Sequence, residues 1–277
     1  MVIPKLMGIV NATPDSFYGA SRASEERGVA LGLRLAAQGA HLLDIGGEST
    51  RPGALPVPFE EEIRRVVPVI AGLRAAGCTL PLSIDTRKYE TAFAAHAAGA
   101  TWLNDVAALE DDERLGRFAA ETGMTVVLMH RQGNSETMQK DPRYGQVGPE
   151  IRDALARRVE AALLAGIHPA HLVLDPGIGF GKTLDHTLEL MQALPLFSAL
   201  GFPLLLGLSR KSFLAQLEKR AGQEAPPAEQ RLAASLAAAL AASEAGVEYL
   251  RVHDVAETAQ ALRTWEALRP RGETWTA

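Results

Sequence analysis

The sequence predicts a (β/α)8 barrel, a closed parallel sheet ringed by helices, built as a single domain over residues 1–277. Three observations carry that expectation. Eight short apolar runs of β type alternate with stretches of helical period. Gly39, Gly77, Gly99, Gly123, Gly166, Gly201 and Gly246 each follow a helical stretch and precede the next run, as left-handed helix C-caps should. Each apolar run ends in a polar or ionisable residue. Strict alternation requires parallel strands, and eight units in about 250 residues is the size of a closed barrel. A doubly wound open sheet would usually carry a glycine fingerprint after its first strand, and none is present.

The elements follow in order. Leu6–Val10 ends in Asn11 and leads to the helical stretch Arg22–Gln38. His41–Ile45 carries Asp44, ends near Glu48 and leads to Phe59–Ala76. Pro81–Ile84 ends in Asp85-Thr86-Arg87 before Glu90–Ala98, and Thr101–Leu103 ends in Asn104-Asp105 before Asp112–Thr122. Thr125–Met129 runs into His130-Arg131 before Glu150–Ala165, and His171–Leu174 ends in Asp175 before His186–Leu200. Pro203–Leu208 ends in Ser209-Arg210-Lys211, Ala228–Ala245 is the next helical stretch, and Glu248–Val252 ends in His253 just after Arg251. The segment Glu218–Ala228, with Pro226 and Pro227, reads as a longer connection between the last two units.

Composition narrows the function. A net charge of −5 excludes an extended nucleic-acid footprint. Cys78 is the sole cysteine, so no internal disulfide forms, which fits a reducing compartment. No run is long and apolar enough to span a bilayer, and MVIPKLMGIVNATPDSF lacks a signal-peptide pattern, so a cytoplasmic protein is expected. The stretch PGIGFGKT at 176–183 ends like a nucleotide-binding loop. That signature needs a glycine where Pro176 stands, and proline has no N–H to give a phosphate.

In a barrel the C-terminal strand ends converge on one rim, where active sites lie. Any one of these polar ends is more often a helix cap or a satisfied polar group than a catalyst; Asp105 and Thr86 suit the cap reading, and Asp44 a structural one in which it bonds loop N–H groups. Eight together point to an enzyme. Asp85, Asn104 and Asp175 suit a flat, nitrogen-rich heterocycle, whose aminopyrimidinone edge pairs with a carboxylate as a guanidinium does. Arg51, Lys211, Arg251 and His253 supply enough positive charge for a phosphate or pyrophosphate arm.

The motifs MGIVNATPDSF (7–17), GAHLLDIGGESTRPG (39–53), SIDT (83–86), NDVAAL (104–109) and MHRQGNSETMQ (129–139) resemble those of the dihydropteroate synthase family. DPGIGFGK (175–182), LGLSRKSF (206–213) and RVHDV (251–255) complete the resemblance, in the family's order and over nearly the whole chain. It implies a pterin-binding barrel of folate biosynthesis that condenses (7,8-dihydropterin-6-yl)methyl diphosphate with 4-aminobenzoate, giving 7,8-dihydropteroate and pyrophosphate. By motif, Asp85, Asn104, Asp175, Lys211 and Arg251 would bind the pterin. Asn11, Arg51, Arg251 and His253 would hold the pyrophosphate, with Asn11 also a ligand to Mg2+. Thr50, Pro52, Phe180, Lys211 and Ser212 would frame the aminobenzoate, and Lys211, Arg251, His253 and Asp85 would form the catalytic set. The resemblance also implies a homodimer, for which Arg231–Ala245 is long enough to serve as an interface.

One position departs from the family pattern. Gly19 stands where the first loop usually has an Asp that helps close it over the pyrophosphate. Two other readings are a pterin-binding methyltransferase domain of the corrinoid type and a catalytically silent pterin-binding module. The first has no need of the cluster Arg51, Arg251 and His253, and the second has only Gly19 in its favour.

Overall fold

The computed structural model of the chain describes residues 3–12, 22–49, 53–135 and 137–269. Its strands are β1 (Lys5–Asn11), β2 (Leu42–Gly46), β3 (Leu82–Asp85), β4 (Trp102–Asp105), β5 (Thr125–Met129), β6 (Leu172–Asp175), β7 (Leu205–Gly207) and β8 (Tyr249–Val252). The helices up to β6 are α1 (Arg22–Ala37), α2 (Phe59–Ala75), α3 (Tyr89–Ala97), α4 (Arg114–Thr122) and α5 (Val147–Leu164). After β6 come α6 (Leu184–Gln192), α7 (Leu194–Ser198), α8 (Ser212–Arg220), α9 (Leu232–Glu244) and α10 (Val255–Leu268). All seven glycines read as helix C-caps have positive φ, from +67° at Gly123 to +113° at Gly99.

The strands run parallel in the order β6-β5-β4-β3-β2-β1-β8-β7. The parallel bridge Leu174–Leu204, where Leu174 N–H donates to Pro203 O at 2.9 Å, closes β6 onto β7. The expected barrel is therefore present.

Side chains alternate across a strand, and here the two faces have different chemistry. Leu6, Leu43, Ile45, Leu82, Ile84, Leu103, Val126 and Leu128 face the helices and share one core with Leu172, Leu174, Leu204, Leu206, Leu250 and Val252. The inner face is apolar only in its lower part. Met7, Leu42, Val127, Val173 and Leu205 pack there against Trp102 and Tyr249. One step further along the same face, two residues on from Leu42, Trp102, Val173 and Tyr249, stand Asp44, Asn104, Asp175 and Arg251, and Asp85 follows buried Ser83 in the same way. Strand register then decides which of these are neighbours: Asp85 lies opposite both Gly46 and Asn104, and Gly207 lies opposite Arg251.

Three expected elements differ. The stretch His186–Leu200 is two helices, because Pro195 has no N–H to continue the first and sits instead in the opening turn of α7. Ala228–Ala245 opens with a separate 3-10 turn over Ala228–Gln230 before α9. Glu218 belongs to α8 rather than to a connection. That helix starts directly after the polar end of β7, where the apolar run and the helical period leave no gap between them.

Candidate active site

The floor of the site is a mesh of charges carried by strands. Arg251 Nε donates to Asp44 Oδ2 at 2.6 Å, and its Nη2 donates to Asp85 Oδ2 at 2.8 Å. Asn104 Nδ2 donates to the same Asp44 oxygen at 3.0 Å. A carboxylate can only accept, so this contact fixes the amide with nitrogen toward Asp44 and leaves Oδ1 and one N–H for a ligand. Asp44 is wholly buried, and Asp85, Asn104 and Asp175 are nearly so. Burial raises the Asp85 carboxyl above the ordinary carboxylate range, with Arg251 opposing and the charge of Asp44 adding to the rise. Burial likewise raises Asp175, against the pull of Lys211 and the Gly177 N–H. Burial works against the charge on Arg251, but Asp44 and Asp85 outweigh it and hold the guanidinium protonated.

The opposite side of the rim is carried by turns. Lys211 follows Arg210, a non-glycine residue at φ +59°. A left-handed residue costs about 1–2 kcal/mol, and this one is held in place from three directions. Its N–H donates to Ser235 Oγ at 2.9 Å, its carbonyl accepts from Arg231 Nη1 at 2.9 Å, and its guanidinium pairs with Asp254. The turn sends Lys211 inward, where its Nζ lies 4.7 Å from the centre of the Phe180 ring and donates to Ile178 O. A Cβ built at Gly207 would touch both Lys211 Nζ, at 3.7 Å, and Arg251 Cβ, at 3.9 Å, so the two cations flank one point of β7. Burial pushes the Lys211 ammonium down to about 8, with Asp175 resisting and Arg251 assisting. Two carboxylates, an amide and two cations therefore gather at the C-terminal ends of the strands, half negative and half positive.

A family model described as pterin binding enzyme matches residues 7–253. The dihydropteroate synthase of Neisseria meningitidis serogroup B is 45% identical over 273 residues, 96% of this chain and 93% of its own. The chain belongs to the dihydropteroate synthases. Solved relatives agree. The Xanthomonas albilineans dihydropteroate synthase with 4-aminobenzoic acid is 48% identical at a TM-score of 0.87, covering 96% of this chain and 94% of its own. The same enzyme in complex with 7,8-dihydropteroate is 45% identical at a TM-score of 0.85, covering 98% and 97%. The activity is that of a transferase of folate biosynthesis, and relatives at this identity carry the synthase name rather than a methyltransferase one.

Within this synthase barrel, Asp85 bonds Arg251 directly, Asn104 meets Arg251 through Asp44, and Lys211 lies against Phe180 within the electrostatic reach of Asp175. Asn11 ends β1 beside β8, and His253 follows β8 with its Nδ1 3.0 Å from Ser209 Oγ. Ser212 is the exposed first residue of α8. Thr50, Arg51, Pro52 and Gly19 lie outside the described residues. Asp105 caps its own turn, accepting from Ala107 and Leu109 N–H at 2.8 and 2.7 Å. Asp44 corrects its expectation in part: it is structural, but it bonds the Arg251 and Asn104 side chains rather than loop N–H groups. Its place two residues after inward-facing Leu42 was the available signal.

Sequence reasoning also passed over the neck of the second loop. Glu48 Oε2 accepts from Val57 N–H at 2.7 Å and from Lys88 Nζ at 2.7 Å, and Lys88 also pairs with buried Glu62 at 2.7 Å. Although burial works against it, Lys88, Val57 and Arg87 hold the Glu48 carboxyl below its ordinary range. Residues 48 and 57 are thereby brought together, closing the base of the loop that contains Thr50, Arg51 and Pro52.

Proposed function

We propose that the synthase reaction runs on this rim, on one pterin-binding domain spanning 1–277, with the pterin on the strand-borne floor and the aminobenzoate against the turns. The single observation that supports this reading is the linked set of Asp85, Asn104, Asp175, Lys211 and Arg251 at the strand ends, joined by hydrogen bonds and mutual electrostatics. Asp85, Asp175 and the free Asn104 oxygen accept from the pterin's ring N–H and amino groups, while Lys211 donates to its acceptors. Arg251, fixed edge-on by Asp44 and Asp85, presents its planar face to the ring and its remaining N–H groups to the pyrophosphate. Asn11, Arg51 and His253 complete the anion site.

The donor set fits Mg2+. That ion is held through one or two protein oxygens plus substrate phosphates, and Asn11 offers one such oxygen at the C-terminal end of β1, the strand that pairs with β8. Asn11 would hold the ion beside the diphosphate, where it would neutralise charge on the leaving group. The C–O bond to pyrophosphate breaks with its electron pair going to the leaving oxygen, and the cationic side of the pocket lowers the barrier. The arylamine nitrogen of 4-aminobenzoate then bonds to the exposed pterin methylene, and its proton passes to solvent or pyrophosphate. A neutral arylamine is already a nucleophile, so Phe180, Thr50, Pro52, Lys211 and Ser212 act by positioning it. Lys211, Arg251, His253 and Asp85 are the groups in contact with the reacting pterin and its leaving group.

Pyrophosphate release that requires both the pterin diphosphate and 4-aminobenzoate tests the reading. No release at saturating magnesium and both substrates would sink it. We further read the enzyme as a cytoplasmic homodimer. Among the described residues no helix is long and apolar enough to cross a membrane. Leu236, Leu240, Ala261, Trp265 and Leu268 line an apolar groove of about 460 Å³ between α9 and α10 that suits a second copy. Light scattering at twice the mass of the chain supports the dimer, and a monomer mass contradicts it.

A further inference from the structure

Four consecutive carbonyls of the loop between β6 and α6 are each held by a different side chain. Ile178 O accepts from Lys211 Nζ, Gly179 O from Gln139 Nε2 at 2.9 Å, Phe180 O from Lys182 Nζ at 2.9 Å, and Gly181 O from Tyr144 Oη at 3.0 Å. A surface loop ordinarily turns such carbonyls to water. Here two of the four donors, Gln139 and Tyr144, belong to the segment between β5 and α5. A third, Lys182, is tied to the end of β5 through His130 Nδ1 at 3.1 Å and His130 O at 3.3 Å.

The two segments are also in backbone contact. A Cβ at Gly177, where φ is +73°, would lie 1.9 Å from His130 O. One at Gly181, where φ is +67°, would lie 2.5 Å from Gln132 O. Neither glycine can be replaced without driving the segments apart.

Lys182 is 4% exposed, and its geometry suits an ammonium, since three donors face three acceptors. His130 accepts at Nδ1 and is therefore the neutral tautomer with its proton on Nε2, in keeping with burial and the charge of Lys182 pushing it down to about 3. Burial pushes Lys182 itself down to about 7, with Asp175 resisting and Lys211 assisting.

We propose that Lys182, Gln139 and Tyr144 are positioning residues for the second substrate, fixing the 178–181 backbone so that the Phe180 ring stands as a wall of the aminobenzoate pocket. The segment between β5 and α5 thus shapes a pocket through another loop's carbonyls. This rests on the reading of Phe180 as that wall. Gln139 and Tyr144 carry no charge near the pterin floor, so their variants separate positioning from electrostatics.

The test is steady-state kinetics of K182M, Q139A, Y144F and F180A, with the affinity for 6-hydroxymethylpterin measured by calorimetry on each. Loss of a hydrogen bond from a charged donor predicts about a tenfold rise in aminobenzoate KM for K182M. Loss of a neutral one predicts roughly a two- to fivefold rise for Q139A and Y144F. Pterin affinity stays within about threefold in all of them, because the floor groups keep their partners. Gln139 is exposed, so Q139A keeps the test alive should K182M not fold. A rise for F180A with Q139A and Y144F unchanged overturns this inference alone. An unchanged F180A overturns the Phe180 reading and the inference together. Pterin affinity falling in step with aminobenzoate KM also overturns it, since the residues would then serve the whole rim.

Discussion

The two halves of the rim are built on different principles. On the side proposed for the pterin, Asp44, Asp85, Asn104 and Arg251 stand on strands β2, β3, β4 and β8, and their partners are one another. On the side proposed for the aminobenzoate, Phe180 and Lys211 stand on turns, held through backbone carbonyls and an αL residue. Strands fix a side chain through the sheet ladder, so a charged group can be aimed once and buried. A turn has no ladder, so its order has to be supplied by side chains from elsewhere. The first half suits exact recognition of a polar ring edge. The second suits a flat substrate that enters from solvent.

The strongest way to break this contrast is on the strand side. Asp175→Ala removes a carboxylate facing Lys211 and Arg251, and a loss of about 100-fold in pterin affinity is expected from a missing charged partner in a buried site. Calorimetry with 6-hydroxymethylpterin measures it. An unchanged affinity would remove Asp175 from the floor.

A subtler break is Asp44→Asn, which keeps the shape and an acceptor but loses the charge that holds Arg251. We expect roughly tenfold weaker pterin binding, with aminobenzoate KM within about twofold, because the coupled groups all lie on the floor. Equal damage to both substrates would mean that the two halves are not independent.

The smallest expected effect is on pH. Asp85 and Asp175 both titrate above the ordinary carboxylate range because they are buried. A ligand N–H needs the ionised form, so affinity is full above the raised values and is lost as pH falls through them. Pterin affinity should therefore weaken several-fold on going from about pH 8 to about pH 6, well above the usual carboxylate region. In Asp44→Asn the curve should move to lower pH, because one negative neighbour of Asp85 is gone. Titrating the affinity of both proteins by calorimetry decides this, and a flat profile would place both carboxyls at ordinary values.

The strand side was the legible half. Inward-facing positions repeat every two residues, so an apolar residue followed two later by a polar one, as in Leu42 and Asp44 or Val173 and Asp175, marks the upper layer of a barrel. The turn side was not. Lys182 has an ordinary lysine's place in the sequence, beside a glycine and a threonine that mimic a nucleotide loop. Its burial follows from His130 and Phe180 carbonyls that are 52 and 2 residues away. Gln139 likewise finds Gly179 across 40 residues, with no periodicity to announce it.

By itself the sequence determined the barrel and its polar rim, because hydrophobic period and helix capping are local and repeat from unit to unit. Tertiary structure alone decided which of the rim residues bond to which. Asp44 meets Arg251 across 207 residues only because β2 and β8 both pair with β1, and the carbonyls of 178–181 gain their donors only because two loops pack backbone to backbone. Such pairings depend on register and close approach in space, which no spacing along the chain encodes.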